Sequence, residues 1–196
     1  MNTKNNQRYM NTENKINRAL KSLLLKEKSL KKITVRSICK EAQIHHTTFY
    51  EHYIDIFDLV EKTERQMGNG LYEYIEAKKN IDDNSLSVSF ITAIIEYVKA
   101  NKDFYTVYLN DYGLSSVDNG FQRVWSIIEQ NMSYDRFDYN EIKYNFEFCK
   151  AGSLKVISCW LSNDCRESVE EISEILFQLF QLLQSRYPIL SENLFG

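Results

Sequence analysis

Between Thr34 and Tyr53 the sequence TVRSICKEAQIHHTTFYEHY changes its apolar register once, and that break limits what the segment can become. Val35, Ile38, Cys39 and Ala42 recur at i, i+3, i+4 and i+7, which gathers four side chains on one helical face and turns Arg36, Ser37 and Lys40 away. Thr34 stands where an N-cap hydroxyl contributes about 1 kcal/mol. Gln43 and Ile44 interrupt the pattern. A second short helix then starts at His45 or His46 and carries Phe49 and Tyr53 on its buried side. His46, Thr47, Thr48, Tyr50, Glu51 and His52 are left facing outward, a set rich in hydrogen-bonding groups and poor in aliphatic carbon.

The segment before it supplies a third helix. Thr12 is a good N-cap, and Ile16, Ala19, Leu20, Leu23 and Leu24 form an apolar stripe ending near Glu27. Residues 1 to 11 are polar and basic and read as disordered in the free chain. Lys28, Lys31 and Lys32 fall in the loop before Thr34, close to where a phosphate would lie against a helix N-terminus. Charge follows the same division. Residues 1–53 hold eleven Lys or Arg against four Asp or Glu, whereas residues 54–196 hold thirteen against twenty-three. A basic head on an acidic body suits a chain in which one end approaches phosphates.

Two short helices joined by about four residues have the geometry that places the second in the major groove of double-stranded DNA. The run ITVRSICKEAQIHHTTFYEHYIDIFDLVEK resembles the DNA-binding signature of the TetR family of transcriptional regulators: a threonine starts the second helix, an alanine precedes the turn, and an FY-x-H-F/Y segment ends the recognition helix. Gln43 stands where that family most often has glycine, and residues 54–56 lack its usual lysine. In this reading Thr34 and the amides after it receive a phosphate, and Arg36 reaches a base edge or a neighbouring phosphate. His46, Thr47 and Thr48 read bases, with threonine methyls meeting thymine methyls. The resemblance gives Tyr50 and His52 to the phosphates, which fix register.

One proline, six glycines and abundant Leu, Ile, Glu and Lys predict an all-α chain of about nine helices. The expected domains are a DNA-binding head at 1–53 and a helical effector-binding and dimerisation domain at 54–196, linked by a helix over about 55–79. Gly68 and Gly70 in that linker are either a hinge or a place of close packing. Further helices are expected over about 86–100, 102–109, 121–132, 139–161 and 168–186. Phe104, Tyr105, Tyr108, Tyr112 and Trp125 either line an apolar ligand pocket or fill the core. Gly152, Val156, Trp160, Ile172, Ile175, Leu179 and Leu183 lie on faces wider than one helix pair buries, which predicts a homodimeric four-helix bundle. The stretches NKDFYTVYL and CWLSNDCRESVEEI are similar to a regulatory domain of TetR-like proteins from low-GC Gram-positive bacteria.

Other classes find no support. His45, His46 and His52 lack metal-binding spacing, no glycine-rich phosphate loop or G-x-S-x-G elbow occurs, and neither a cofactor nor an enzymatic activity is expected. Cys39, Cys149, Cys159 and Cys165, without a C-x-x-C pair, read as buried thiols of a reducing compartment. With no membrane-length apolar run and no apolar signal core, the chain is expected in the cytoplasm. The resemblance implies a homodimeric regulator, usually a repressor, that reads a near-palindromic operator and answers a small-molecule or protein effector. A coactivator working through protein contacts is the alternative.

Overall fold

The computed structural model describes residues 3–78, 87–112 and 139–184. Among these residues all regular structure is helical: α1 (Thr3–Glu27), a 3-10 turn (Leu30–Lys32), α2 (Val35–Ala42), α3 (His46–Tyr50), α4 (Ile56–Ala77), α5 (Val88–Ala100), α6 (Lys102–Tyr112), α7 (Tyr139–Ser162) and α8 (Val169–Gln184). The all-α expectation holds. The helix expected over 121–132, which carries Trp125, lies outside the described residues.

The chain divides into two compact units, Met1–Met67 with Asp103–Asp111, and Gly68–Lys102 with Tyr112–Gly196. The boundary at 67/68 falls inside α4, which contributes residues to both units. Helix α6, placed with the body by sequence, gives its residues 103–111 to the first unit.

In the first unit the apolar stripe of α1 is fully used: Ile16, Ala19, Leu20, Leu23 and Leu24 are all buried. Leu30, Ile33, Ile38, Cys39, Ala42, Phe49, Tyr53, Leu59 and Val60 are buried with them. Each large aliphatic or aromatic side chain so removed from water contributes roughly 1.5 to 3 kcal/mol. Helix α1 starts at Thr3, nine residues before the expected cap. Thr12 does not cap; its hydroxyl donates back to the Arg8 carbonyl at 3.0 Å. The added turns are given a tertiary partner by Tyr9, whose ring stacks on His52 with centroids 4.0 Å apart.

Helix α2 begins and ends on side-chain chemistry visible in the sequence. Thr34 Oγ1 accepts the Ser37 amide at 3.2 Å, and Ser37 Oγ accepts the Thr34 amide at 2.9 Å, a reciprocal capping box. At its far end Gln43 takes φ 54°, ψ 48°, while the Ile44 amide donates to the Cys39 carbonyl and the Gln43 amide to that of Lys40. That is the Schellman stop, here built on a residue with a Cβ.

In the second unit α5 packs on α8, and α8 on α7. Ser87 caps α5 by accepting the Phe90 amide at 3.2 Å, and Ile91, Ala93, Ile95 and Val98 are buried. Lys78 pairs with Glu96, which also accepts the Tyr74 hydroxyl at 3.0 Å, joining the end of α4 to α5. A Cβ on Gly70 would overlap the Tyr97 hydroxyl, so that glycine marks close packing; a Cβ on Gly68 would meet nothing. Helix α7 ends on a second Schellman stop without glycine, Cys165 donating to the Trp160 carbonyl and Asp164, at φ 57°, to that of Leu161.

Candidate nucleic-acid interface

Helices α2 and α3 are joined by residues 43–45, and the left-handed backbone at Gln43 reverses the chain within that span. Phe49 and Tyr53, with ring centroids 5.6 Å apart, anchor α3 to the core. The opposite side of α3 is left to solvent. His46, Thr47 and Tyr50 are exposed and Thr48 is half-buried. Tyr50 stands edge-on to Phe49 at 5.6 Å, a contact that limits the directions its ring can take.

On α2, Thr34 and Arg36 are exposed, with Arg36 one residue into the first turn. Around them Lys28, Lys31, Lys32 and Lys40 are all exposed, as are Arg8, Lys15, Arg18, Lys21 and Lys26 of α1. The first unit thus carries its basic residues on its surface and six of the seven expected contact residues within a short stretch of chain. His45 was not among those seven. Its Nδ1 lies 3.0 Å from Thr47 Oγ1, a contact that fixes the rotamer of a base-reading candidate.

His52 corrects the outward placement expected for it. The residue is 8% exposed, covered by Tyr9, and its Nδ1 has no hydrogen-bond partner among the described residues. Burial holds its pKa below the usual histidine value, opposed by the nearby Glu13 and Glu51 carboxylates and assisted by Lys62. Its carbonyl accepts Lys62 Nζ at 3.2 Å; the same ammonium pairs with Asp58 at 3.0 Å and sits 5.1 Å from the Tyr53 ring centroid. Within and just after residues 54–56, Ile54 and Phe57 are 79% and 65% exposed.

The aromatic residues expected near a ligand behave differently from one another. Phe104 and Tyr108 are buried and stacked, with centroids 5.1 Å apart and planes 18° from parallel, and Tyr105 is half-buried. Nothing is described of the Tyr112 side chain, and Trp125 lies outside the described residues. Of the residues expected between two copies, Trp160 and Ile172 are buried inside one chain: the Trp160 indole donates to the Glu167 carbonyl at 3.0 Å and lies 5.9 Å from Lys99 Nζ. Val156 is half-buried, and the Leu183 side chain is not described. Gly152, Ile175 and Leu179 remain exposed, joined by Tyr144 and Phe148. Cys159, expected buried, is exposed as well, whereas the half-buried Cys149 thiol is pushed up to about 11 by burial.

Among the described residues no group of three His, Cys, Asp or Glu could hold a metal ion, and no helix is long and apolar enough to cross a membrane. Residues 87–182 match the family described as "Transcriptional regulator C-terminal region", of the TetR type. No curated protein matches the chain by sequence. Among solved structures, the fold is similar to the "Dihydroxyacetone kinase operon activator DhaS", with TM-score 0.58 and 18% identity over 89% of this chain and 97% of that one. It is also similar to the "fatty acid degradation regulator FadR from Bacillus halodurans", with TM-score 0.57 and 12% identity over 87% of this chain and 93% of that one. At such identities these likenesses speak for the fold; the family match over residues 87–182 makes that region similar to the C-terminal region of TetR-type transcriptional regulators, and the two findings are consistent with a regulator of that type.

Proposed function

We propose that the chain is a sequence-specific, homodimeric DNA-binding regulator in the cytoplasm, most simply a repressor, whose affinity for a near-palindromic operator is set by an effector bound in its second unit. The observation that carries this reading is the outer side of α3: His46, Thr47 and Tyr50 are exposed on a unit whose described lysines and arginines are at the surface, and Phe49 and Tyr53 hold that helix from behind. Helix α3 then enters the major groove, with His46, Thr47 and Thr48 toward base edges. Thr34, with the free amides of the first turn of α2, takes a phosphate, and Arg36 and Tyr50 take its neighbours. His52 acts from inside, holding the end of α3 rather than touching DNA.

Two copies are required for a palindromic site, and the exposed apolar residues of α7 and α8 offer the surface that joins them. An effector acts by binding more tightly to one arrangement of the dimer than to the other, and shifts the equilibrium only by that difference.

The test is recovery of genomic fragments by the purified protein at about 150 mM salt, where non-specific phosphate attraction is weak. One or a few palindromic fragments are expected. Replacing Thr47, Thr48 and Tyr50 together with alanine should abolish their selective recovery while leaving the weak, salt-sensitive binding to random DNA; unchanged selectivity would show that α3 does not read the sequence.

A second reading has its own observation. Ile54 and Phe57 present apolar surface beside α3, at and just after the place where a phosphate contact is usual in the family, and apolar surface there suits a protein partner. A coactivator of this kind would recover no specific fragment.

A further inference from the structure

The 3-10 turn at Leu30–Lys32 lacks a cap of its own. Ser29 stands at its N-cap position in extended backbone, yet its hydroxyl accepts nothing from the turn. Both the hydroxyl and the first free amide are satisfied from elsewhere. Asp111 Oδ2, near the end of α6, accepts the Ser29 hydroxyl at 2.9 Å and also the Leu30 amide. The partners are 82 and 81 positions apart in the chain and belong to the same compact unit.

We infer that Asp111 is a positioning residue for DNA binding, holding the 3-10 turn so that the basic pair Lys31 and Lys32 and the N-cap Thr34 are presented together. Three observations meet at this carboxylate. First, the turn is held on both sides: Leu30 and Ile33 are 3% exposed, while Lys31 and Lys32, between them, face solvent. Rotation of the turn would expose the first pair and withdraw the second. Second, a short 3-10 segment has few bonds of its own; here the Ile33 amide donates to the Leu30 carbonyl at 3.0 Å and the Lys32 amide to that of Ser29 at a longer 3.4 Å. An outside acceptor that takes the first amide and the preceding hydroxyl therefore decides the geometry. Third, the turn runs through Ile33 directly into the Thr34–Ser37 capping box, so its orientation is that of the α2 N-terminus.

The inference rests on the DNA-binding reading, and the experiment separates the two. Full-length wild type, Asp111→Ala, Asp111→Asn and Ser29→Ala are compared by amide hydrogen exchange without DNA, and by titration of a palindromic fragment recovered with the wild type. Asp111→Ala should speed exchange of the Leu30 amide by roughly tenfold or more and weaken the fragment by about tenfold, as loss of an acceptor to a part-buried amide implies. Asp111→Asn, which keeps an acceptor oxygen, should restore most of both, and Ser29→Ala should fall between. Helix content and the melting temperature of the second unit should stay unchanged in all four. Unaltered Leu30 exchange in Asp111→Ala would overturn the contact itself. Faster exchange with unaltered affinity would overturn its role in DNA binding and leave a purely structural cap. An asparagine variant no better than alanine would overturn the acceptor role. Failure of the wild type to select any fragment would overturn the DNA-binding reading and the positioning role with it, while exchange still decides whether Asp111 holds the turn.

Discussion

The α1–α3 bundle and the α7–α8 pair are both amphipathic helices, and they finish their folding differently. In the first, the side chains of the α1 stripe, of α2 and of the inner side of α3 are buried within one chain, and the outer surface there is mostly polar and basic, with Met10, Leu25 and Tyr50 among the exposed exceptions. In the second, Leu154, Ile157, Trp160, Leu161, Ile172 and Leu176 are buried, yet Tyr144 and Phe148 remain 69% exposed, and Ile175 and Leu179 44% and 46%. A Cβ on Gly152, midway along α7, would meet nothing, so no contact among the described residues accounts for a residue that weakens a helix interior by about 1 kcal/mol. Scattered apolar residues at a surface are ordinary; Tyr144 and Phe148 on α7 and Ile175 and Leu179 on α8, each pair one helical turn apart, are the surface that the proposed dimer would cover.

That contrast can be broken most forcefully with charge. Phe148→Glu combined with Leu179→Glu should raise the dimer dissociation constant at least about a hundredfold, roughly 3 kcal/mol, because two carboxylates per chain would lose water at the interface. Helix content should persist, since both side chains are exposed in the single chain. Sedimentation velocity and circular dichroism read the two quantities separately. Trp160→Ala is the converse: its indole is buried in one chain, and about 3 to 5 kcal/mol of folding stability should go with it. Association unaffected by the double glutamate would show that the exposed row is not the interface.

The glycines sharpen the comparison on a smaller scale. Gly70→Ala should destabilise the second unit by about 1 to 3 kcal/mol, because the new methyl overlaps the Tyr97 hydroxyl. Gly68→Ala meets nothing and should stabilise by about 0.5 to 1 kcal/mol. Gly152→Ala tells the two regimes apart, raising monomer stability like Gly68→Ala and weakening association if a second α7 crosses there. Denaturant melts at several protein concentrations would report both.

What could be read from sequence follows from the range of the forces involved. The α1 stripe, the Thr34 cap, the left-handed stop at Gln43 and the polar outer side of α3 all depend on neighbours within about one or two helical turns, and each was legible. Three features were not. Tyr9 covering His52 and Asp111 capping the 3-10 turn join residues 43 and 81 or more positions apart, and no local pattern announces such pairs. The burial of Trp160 and Ile172 within one chain was not legible for a related reason. Periodicity shows that a helix has a wide apolar face but does not say which part its own chain covers, and here α7 and α8 bury that part while Tyr144 and Phe148 stay outside.

Within the first unit, Gln43 offers a milder test. A residue with a Cβ in the left-handed region is disfavoured by about 1 kcal/mol relative to glycine, and the Schellman bonds around it need only that backbone. Gln43→Gly should therefore raise stability by about 1 kcal/mol without altering fragment selection, since Gln43 lies in the turn and not on α3. A stable variant that binds more weakly would instead give the glutamine side chain a DNA contact.

The smallest expected effect is a pH dependence, and it asks whether even the finished bundle holds one group at a disadvantage. His52 is buried beneath Tyr9, and burial lowers its pKa in the folded chain relative to the unfolded value of about 6.5. Below that value the unfolded chain binds a proton that the folded chain resists, so stability rises with pH through this window and is lost as pH falls. Glu13 and Glu51 oppose the shift and Lys62 adds to it, leaving a modest net penalty for the charged form. His52→Asn should remove that slope between pH 7 and pH 5. Tyr9→Ala should flatten it too, by readmitting water to the ring, although the stacking itself is lost. Equal melting-temperature slopes in wild type and His52→Asn would mean that the imidazole reaches solvent despite the stack, and that the end of α1 is held there by the ring contact alone.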